Sequence, residues 1–263
     1  MKKDLFGDRM KEYEQCGELI LPQNMPIIIR LDGNSFSKLT KKLNFKKPFD
    51  DSFREGMEAA MKEVMDYTGA KIGYCQSDEI TLLIVNPLSQ KFLSNRISKI
   101  CSLVASNATN GFNKYFIDKD NYFPNACFDC RVFVVPEKEV NNVFLWRQKD
   151  AWKNSVYAYA FFELQNKKKI SNRKATAILK NMSLNDKREY IKKELNFDIE
   201  TLDSKFKVGF CMFRKKVKIP VSELPKESQK YIKDKSFIER NQLYTDLDIP
   251  LFNEKHEYIE QFL

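Results

Sequence analysis

Four short β-prone runs, set apart by two helical stripes, constrain this chain more than any other feature in it. Residues 27–31 are apolar apart from Arg30 and end at Asp32-Gly33, where the chain must turn. Phe53, Met57, Ala60, Met61 and Val64 fall at i, i+4, i+7, i+8 and i+11, the stripe of a core helix. Asp50 or Asp51 is placed to cap that helix and Gly69 to end it. Two strands follow, over 72–75 and 80–85, around a bend at Gln76-Ser77-Asp78-Glu79. A second long helix is predicted over 89–113, with Phe92, Ile97, Ile100, Val104 and Ala108 inward. The fourth strand, over 128–135, alternates Phe128, Val132 and Val134 against Asp129 and Arg131. The order β-α-β-β-α-β is the split βαβ, ferredoxin-like pattern. It predicts an α+β fold, an antiparallel sheet with helices on one face. The same sheet serves as the palm of template-directed polymerases and of nucleotidyl cyclases.

Two of these strands deliver carboxylates to their ends. If the strands are neighbours, Asp32, Asp78 and Glu79 gather at one edge, where like charges repel unless a cation lies between them. All-oxygen ligands suit Mg²⁺, which uses one or two carboxylates and completes its shell with substrate phosphates. Two such ions can activate an attacking oxygen and stabilise a leaving one. Solvated turn residues are the plainer account of any one such pair. Arg96 and Lys99 lie one turn apart on the second long helix, so they share a face. They suit phosphate only if that end lies beside the carboxylates.

The 263 residues can bury one large core or a domain with an appendage. A net charge of +9 points to a polyanionic partner. Much of that charge sits in 166–195, where ten Lys/Arg face three Asp/Glu across Lys167-Lys168-Lys169 and two short helices predicted near 173–182 and 185–195. This segment is the candidate footprint on a phosphate backbone, a lysine-coated helical surface being the alternative. Aromatic residues crowd 146–162, a predicted amphipathic helix, as core or as stacking platforms. No run approaches membrane-spanning length and the start lacks a signal-like apolar stretch, so a cytoplasmic protein with reduced cysteines is expected. Only Cys127 and Cys130 have metal-like spacing, without a second pair, and the single histidine, His256, leaves little for histidine chemistry. After a β-like run at 208–213 the tail reads as irregular.

Several blocks in series resemble the tRNA(His) guanylyltransferase superfamily. They are Arg30-Leu31-Asp32-Gly33-Asn34-Ser35-Phe36, Asn44-Phe45-Lys46-Lys47-Pro48 with Asp50, Gln76-Ser77-Asp78-Glu79, Phe128-Asp129-Cys130-Arg131-Val132 and Leu145-Trp146-Arg147-Gln148-Lys149-Asp150-Ala151. The blocks cover residues 25–160 in order, which is far more specific than any one of them. The resemblance implies a 3′-to-5′ polymerase acting on tRNA, with a polymerase-like palm, two Mg²⁺ ions, ATP or GTP as substrates and a homotetrameric assembly. A 5′-monophosphate end is first activated, typically with ATP. The 3′-hydroxyl of an incoming nucleotide then attacks that end, with pyrophosphate leaving.

By the same resemblance Asp32 and Asp78 bridge the metals, helped by the Gly33 carbonyl, with Glu79 beside them as a third catalytic carboxylate. Ser77, Arg96 and Lys99 hold the triphosphate, and Lys47 handles phosphate during activation. Thr40, Phe45 and Asp50 hold the activating nucleotide's base. Arg30, Arg131, Lys153, Asn154 and Lys167 to Lys169 are expected to contact phosphate or tRNA. The palm-like catalytic domain is expected over 1–140 and a helical, basic extension for tRNA binding and oligomerisation over 141–263. One departure stands out. Where the eukaryotic enzymes carry His-Ile-Asn-Asn, this chain has Trp152-Lys153-Asn154-Ser155. That favours the branch repairing truncated tRNA by templated addition, with addition of a single G to tRNA(His) as the alternative. A palm-fold nucleotidyl cyclase and a non-catalytic RNA-binding protein are the readings from other classes.

Overall fold

In the computed structural model, which describes residues 5–85, 91–231 and 236–263, the predicted order appears as a six-stranded antiparallel sheet. Its strands are β1 (Ile27–Gly33), β2 (Ile72–Gln76), β3 (Glu79–Ile84), β4 (Phe128–Val134), β5 (Phe210–Pro220) and β6 (Phe237–Asp246), arranged β4-β1-β3-β2-β5-β6. The first four make the ferredoxin-like core, and the last two extend it past β2. The helices are α1 (Leu5–Gln15), α2 (Phe36–Lys42), α3 (Asp51–Thr68), α4 (Ile97–Asp120), α5 (Glu137–Asn166), α6 (Asn172–Lys180), α7 (Leu184–Glu194), α8 (Ser204–Lys207), α9 (Lys226–Gln229) and α10 (Glu257–Glu260).

Helices cover both faces of the sheet, not one. Ile27, Ile29 and Leu31 face a core built with α3 and α4, where Met57, Met61, Val104 and Phe112 are fully buried. Ile28, Tyr74 and Leu83 face the other way, onto Val140 and Phe144 of α5 and onto Phe252 and Ile259 near the C-terminus. The run Ile27-Ile28-Ile29 at the start of β1 is what a strand buried on both faces requires, since alternation belongs to half-solvated strands. Each fully buried isoleucine contributes about 1.5–3 kcal/mol.

Local signals set the helix ends. The Asp50 carboxylate accepts from the Phe53 amide at 3.0 Å and caps α3, and Gly69 closes it in the left-handed region at φ 67. Where α3 and α4 cross, a Cβ on Gly111 would come within 2.9 Å of the Ala59 carbonyl oxygen, so glycine sets their spacing. The second long helix runs over Ile97–Asp120 and not 89–113. A 3₁₀ turn at Phe92–Asn95 precedes it, and residues 89 and 90 lie outside those described.

The segment beyond about residue 214 is not irregular. β5 and β6 pair from Cys211 opposite Asp246 to Pro220 opposite Phe237 as a long ribbon. Its outer half is rich in charged residues, with Lys215, Lys216, Lys218, Glu239 and Arg240, and Lys215 sits 3.5 Å from the Tyr244 ring centroid. α6 and α7 form a small helical module, with Leu179, Ile191 and Leu195 packed on Val156, Ala160 and Leu164 of α5. The junction expected near residue 140 falls inside α5, and β5 from the later half pairs directly with β2.

Candidate active site

The carboxylates meet at one end of the sheet. In the register Asp32 lies opposite Glu79 on β3 and opposite Asp129 on β4, so three acidic residues share one row and one face. Asp78 occupies the tight turn between β2 and β3. Ser77 before it takes φ 49, and its hydroxyl donates to Asp78 Oδ1 at 3.1 Å. The Gly33 amide donates to the Asp78 carbonyl at 3.0 Å and stitches the turn to the end of β1. A Cβ at Gly33 would fall 2.4 Å from the Phe36 ring, so only glycine lets α2 begin so soon after the strand.

Burial, with neighbouring charges adding to it, raises the proton affinity of Asp32 and Asp78. Burial pushes the Asp32 carboxyl up, with Glu79 and Asp129 adding to it and Arg30 and Arg131 opposing. Burial also raises Asp78, and the charge of Asp32 adds to the effect. Asp78 therefore feels the charge of Asp32. Among the described residues no group of three or more His, Cys, Asp or Glu is arranged to hold a metal. Asp78, which lines a cavity and feels the charge of Asp32, does fit Mg²⁺, whose remaining ligands are ordinarily phosphate and water oxygens.

Glu79, expected to act beside them, is otherwise engaged. Its carboxylate accepts from the guanidinium of buried Arg147 and from Gln76 Nε2 at 2.6 Å, with Arg30 Nε 3.8 Å away. Arg147 also donates to Asp150 at 2.8 Å, and its guanidinium lies over Trp146, which Arg30 approaches as well. Arg131 pairs directly across from Arg30 on β4.

A cavity of about 370 Å³ opens beside Asp78. Thr40, Phe45, Lys47, Asp50, Ser77 and Asn154, all predicted for nucleotide or tRNA, line it with Asp78. Lys47 Nζ donates to Thr40 Oγ1 at 2.9 Å. Burial lowers the Lys47 ammonium's proton affinity, while the charges of Asp78 and Asp50 work against that. Asp50 accepts the Lys46 amide at 2.7 Å as well as the Phe53 amide, so its first task is shaping the loop and capping α3. Phe45 rests against Phe53 and Phe116.

Other predictions part company with the cavity. Arg96 and Lys99 are exposed at the start of α4, and Arg96 is paired with Glu18. Phe116, which touches Phe45 at the cavity, is twenty residues further along, or roughly 30 Å of helix. The Leu21 amide bonds the Asn95 carbonyl and the Ile97 amide the Leu19 carbonyl, so the start of α4 lies beside the segment entering β1, whereas Asp32 stands near the end of that strand. Lys153 is exposed beside Asp150, and Lys167 and Lys168 pair with Glu163 and Glu194.

Sequence reasoning missed the wall supplied by later segments. Phe206 of α8 stacks on Phe49 at 5.2 Å with 16° between the planes, and Lys205 reaches Asp51 at 2.7 Å. Nothing in the local sequence announces that contact. Ala151, Ser155, Ala158 and Phe162 do carry a signal, the i, i+4, i+7, i+11 stripe of one helix face.

A palm sheet ending in coupled aspartates, beside a cavity that holds a lysine and aromatic walls, defines a nucleotidyltransferase. Residues 7–136 match the family described as tRNAHis guanylyltransferase, and residues 138–249 match its Thg1 C terminal domain. A probable tRNA(His) guanylyltransferase of Drosophila melanogaster is 31% identical over 212 residues, 79% of this chain and 73% of the relative. A bacterial tRNA(His) guanylyltransferase (Thg1)-like protein solved with ATP is 33% identical, covers 98% of this chain and 99% of its own, and superposes with a TM-score of 0.78. A second such structure, with GTP, gives 0.71 at 32% identity, with 98% of each chain covered. The chain belongs to the tRNA(His) guanylyltransferase family.

Proposed function

We propose that this protein adds guanylate to the 5′ end of tRNA. The observation that carries this is the position of Asp78, which sits in the turn bonded to the end of β1 and also lines the cavity. Of the two forms expected from the sequence, guanylate addition to tRNA(His) agrees better with the names of the relatives than generic templated extension does. The second reading, templated repair of truncated 5′ ends, keeps the support of Trp152-Lys153-Asn154-Ser155.

The chemistry balances in two displacements. In activation an oxygen of the tRNA 5′ phosphate bonds the α-phosphorus of ATP, and pyrophosphate leaves. In transfer the 3′-oxygen of the incoming nucleotide bonds the 5′ phosphorus, and AMP leaves; the pyrophosphate expected from the sequence at this step has already departed in activation. Asp32 and Asp78 would hold divalent ions, the Gly33 carbonyl assisting; bound there, such ions neutralise phosphate charge and lower the proton affinity of the attacking hydroxyl. Lys47, held by Thr40, presents its ammonium to phosphate at the cavity, and the Ser77 hydroxyl keeps Asp78 oriented. The aromatic walls take the base of the activating nucleotide. Positioning and charge neutralisation are most of what this reaction type asks of a protein.

The proposal also assigns residues 1–140 to the catalytic palm and 141–263 to tRNA binding and self-association, as a cytoplasmic tetramer. Among the described residues no helix is long and apolar enough to cross a membrane. The test uses 5′-monophosphorylated tRNA(His) and a tRNA lacking its first nucleotide, each with ATP, the nucleoside triphosphates and Mg²⁺. Addition of G to the intact tRNA, whatever the opposing nucleotide, supports the first reading. Extension of the truncated tRNA according to the opposite strand supports the second. Tight tRNA binding with no product from either refutes both.

A further inference from the structure

The cavity wall contributed by α5 contains a polar group that no step above uses. Ala151, Ser155, Ala158 and Phe162 all line the cavity from one stripe of that helix. Ser155 is 5% exposed, and its buried hydroxyl has no hydrogen-bond partner among the described residues. A serine inside a helix can usually satisfy itself on the carbonyl one turn back. Buried side-chain polar atoms are rarely left unpaired in native proteins, and one that is calls for an explanation. Alanine would fill the same space without stranding a hydroxyl, as it does one turn before at Ala151. The surroundings indicate what the hydroxyl awaits. Phe45, Phe162 and the stacked Phe49–Phe206 pair give flat apolar walls, and Lys47 gives a cation for phosphate. A planar heterocycle between such walls still has a polar edge that needs a partner.

We infer that Ser155 is a base-contacting residue, its hydroxyl hydrogen-bonding the edge of a purine nucleoside triphosphate bound in the cavity. The inference rests on the reading above that this cavity takes the activating nucleotide.

Calorimetric titration of the full-length protein and of Ser155→Ala with ATP, GTP and inorganic tripolyphosphate tests it. The purine nucleotide that the wild type binds more tightly should bind the variant about 3- to 10-fold more weakly, the worth of one hydrogen bond to a buried group. Tripolyphosphate, which has no base, should bind both proteins alike. The ligand-free variant should melt no lower than the wild type, because the hydroxyl bonds nothing in the free protein. Ser155→Cys, close in size with a weak donor, should fall between serine and alanine. Unchanged nucleotide affinity, an equal weakening for tripolyphosphate, or a lowered melting temperature overturns the inference. A wild type that binds neither nucleotide nor tripolyphosphate refutes instead the reading of the cavity on which it rests.

Discussion

Asp78 and Glu79 are consecutive residues with opposite surroundings, and the contrast extends to the two sides of the acidic end of the sheet. Glu79, which does not line the cavity, is closed into a network with Arg147 of α5, Gln76 and Arg30, and Arg147 gives its other arm to Asp150. On the cavity side Asp78 accepts only the Ser77 hydroxyl among the side-chain bonds described, and Lys47 is bonded to a neutral threonine. A buried charge whose partners are all present is structural until something opens it. One raised by burial and by a like neighbour, with capacity to spare, is available for chemistry.

Replacement of Asp78 should have the largest effect. Asp78→Asn keeps shape and removes charge, and the single-turnover rate of nucleotide addition should fall about 10³-fold or more, with tRNA binding little changed. Activity within tenfold of wild type would erase the distinction between the two sides. Next in size is a stability effect on the other side. Arg147→Met strands Glu79 in the interior and should cost about 3–5 kcal/mol in urea unfolding. Glu79→Gln combined with Arg147→Met should recover much of that loss, because no lone buried charge is left. Glu79→Gln alone should slow addition far less than Asp78→Asn does. Should it be equally inactive at unchanged stability, Glu79 belongs to the chemistry after all.

What the sequence made legible follows the same division. The order of elements along the chain, an α3 cap at Asp50 or Asp51 and the meeting of Asp32 with the 78 turn were readable because period, turn residues and strand ends are local signals. The cover on both faces was present in the alternation-free run 27–31, but an antiparallel pattern invites a one-faced reading. The ribbon was unreadable for another reason. Its outer strands bury little, so they carry no apolar period, and prolines at 220 and 225 read as breaks. Arg96 and Lys99 fit a motif in series, yet a long helix can carry motif residues to the far end of a domain. Phe206 and Lys205 reach the cavity through tertiary contact alone. Arg147 lay within a recognised block without its role being apparent, since its partners are distant in the chain.

Smaller effects sharpen the comparison at its edges. Lys47→Ala should weaken nucleotide binding about tenfold, the worth of a charge-assisted contact to phosphate. Isothermal titration with ATP checks it, and an unchanged affinity would move the phosphates elsewhere. Arg96→Ala should alter the same titration less than about twofold, because a surface pair such as Arg96–Glu18 contributes little beyond itself. A tenfold effect would mean that this end of α4 reaches nucleotide in the assembled protein, by way of another copy.

The smallest expected change belongs to Lys167, Lys168 and Lys169. Among the described residues Lys47 has no acidic side chain bonded to it, whereas Lys167 is held by Glu163 at 2.8 Å and Lys168 by Glu194 at 2.9 Å. A phosphate backbone must displace those carboxylates before it gains the lysines, so each releases less than a full counterion on binding. Three free lysines would flatten a plot of log affinity against log salt by about 2 to 3, at roughly 0.7–0.9 per phosphate neutralised. With two of the three already paired, replacing all three by alanine should flatten the tRNA-binding slope by only about 1. An unchanged slope removes the segment from the tRNA footprint. A loss of more than about 2 would show that both pairs open on binding, which would make this lysine run as available to phosphate as Lys47.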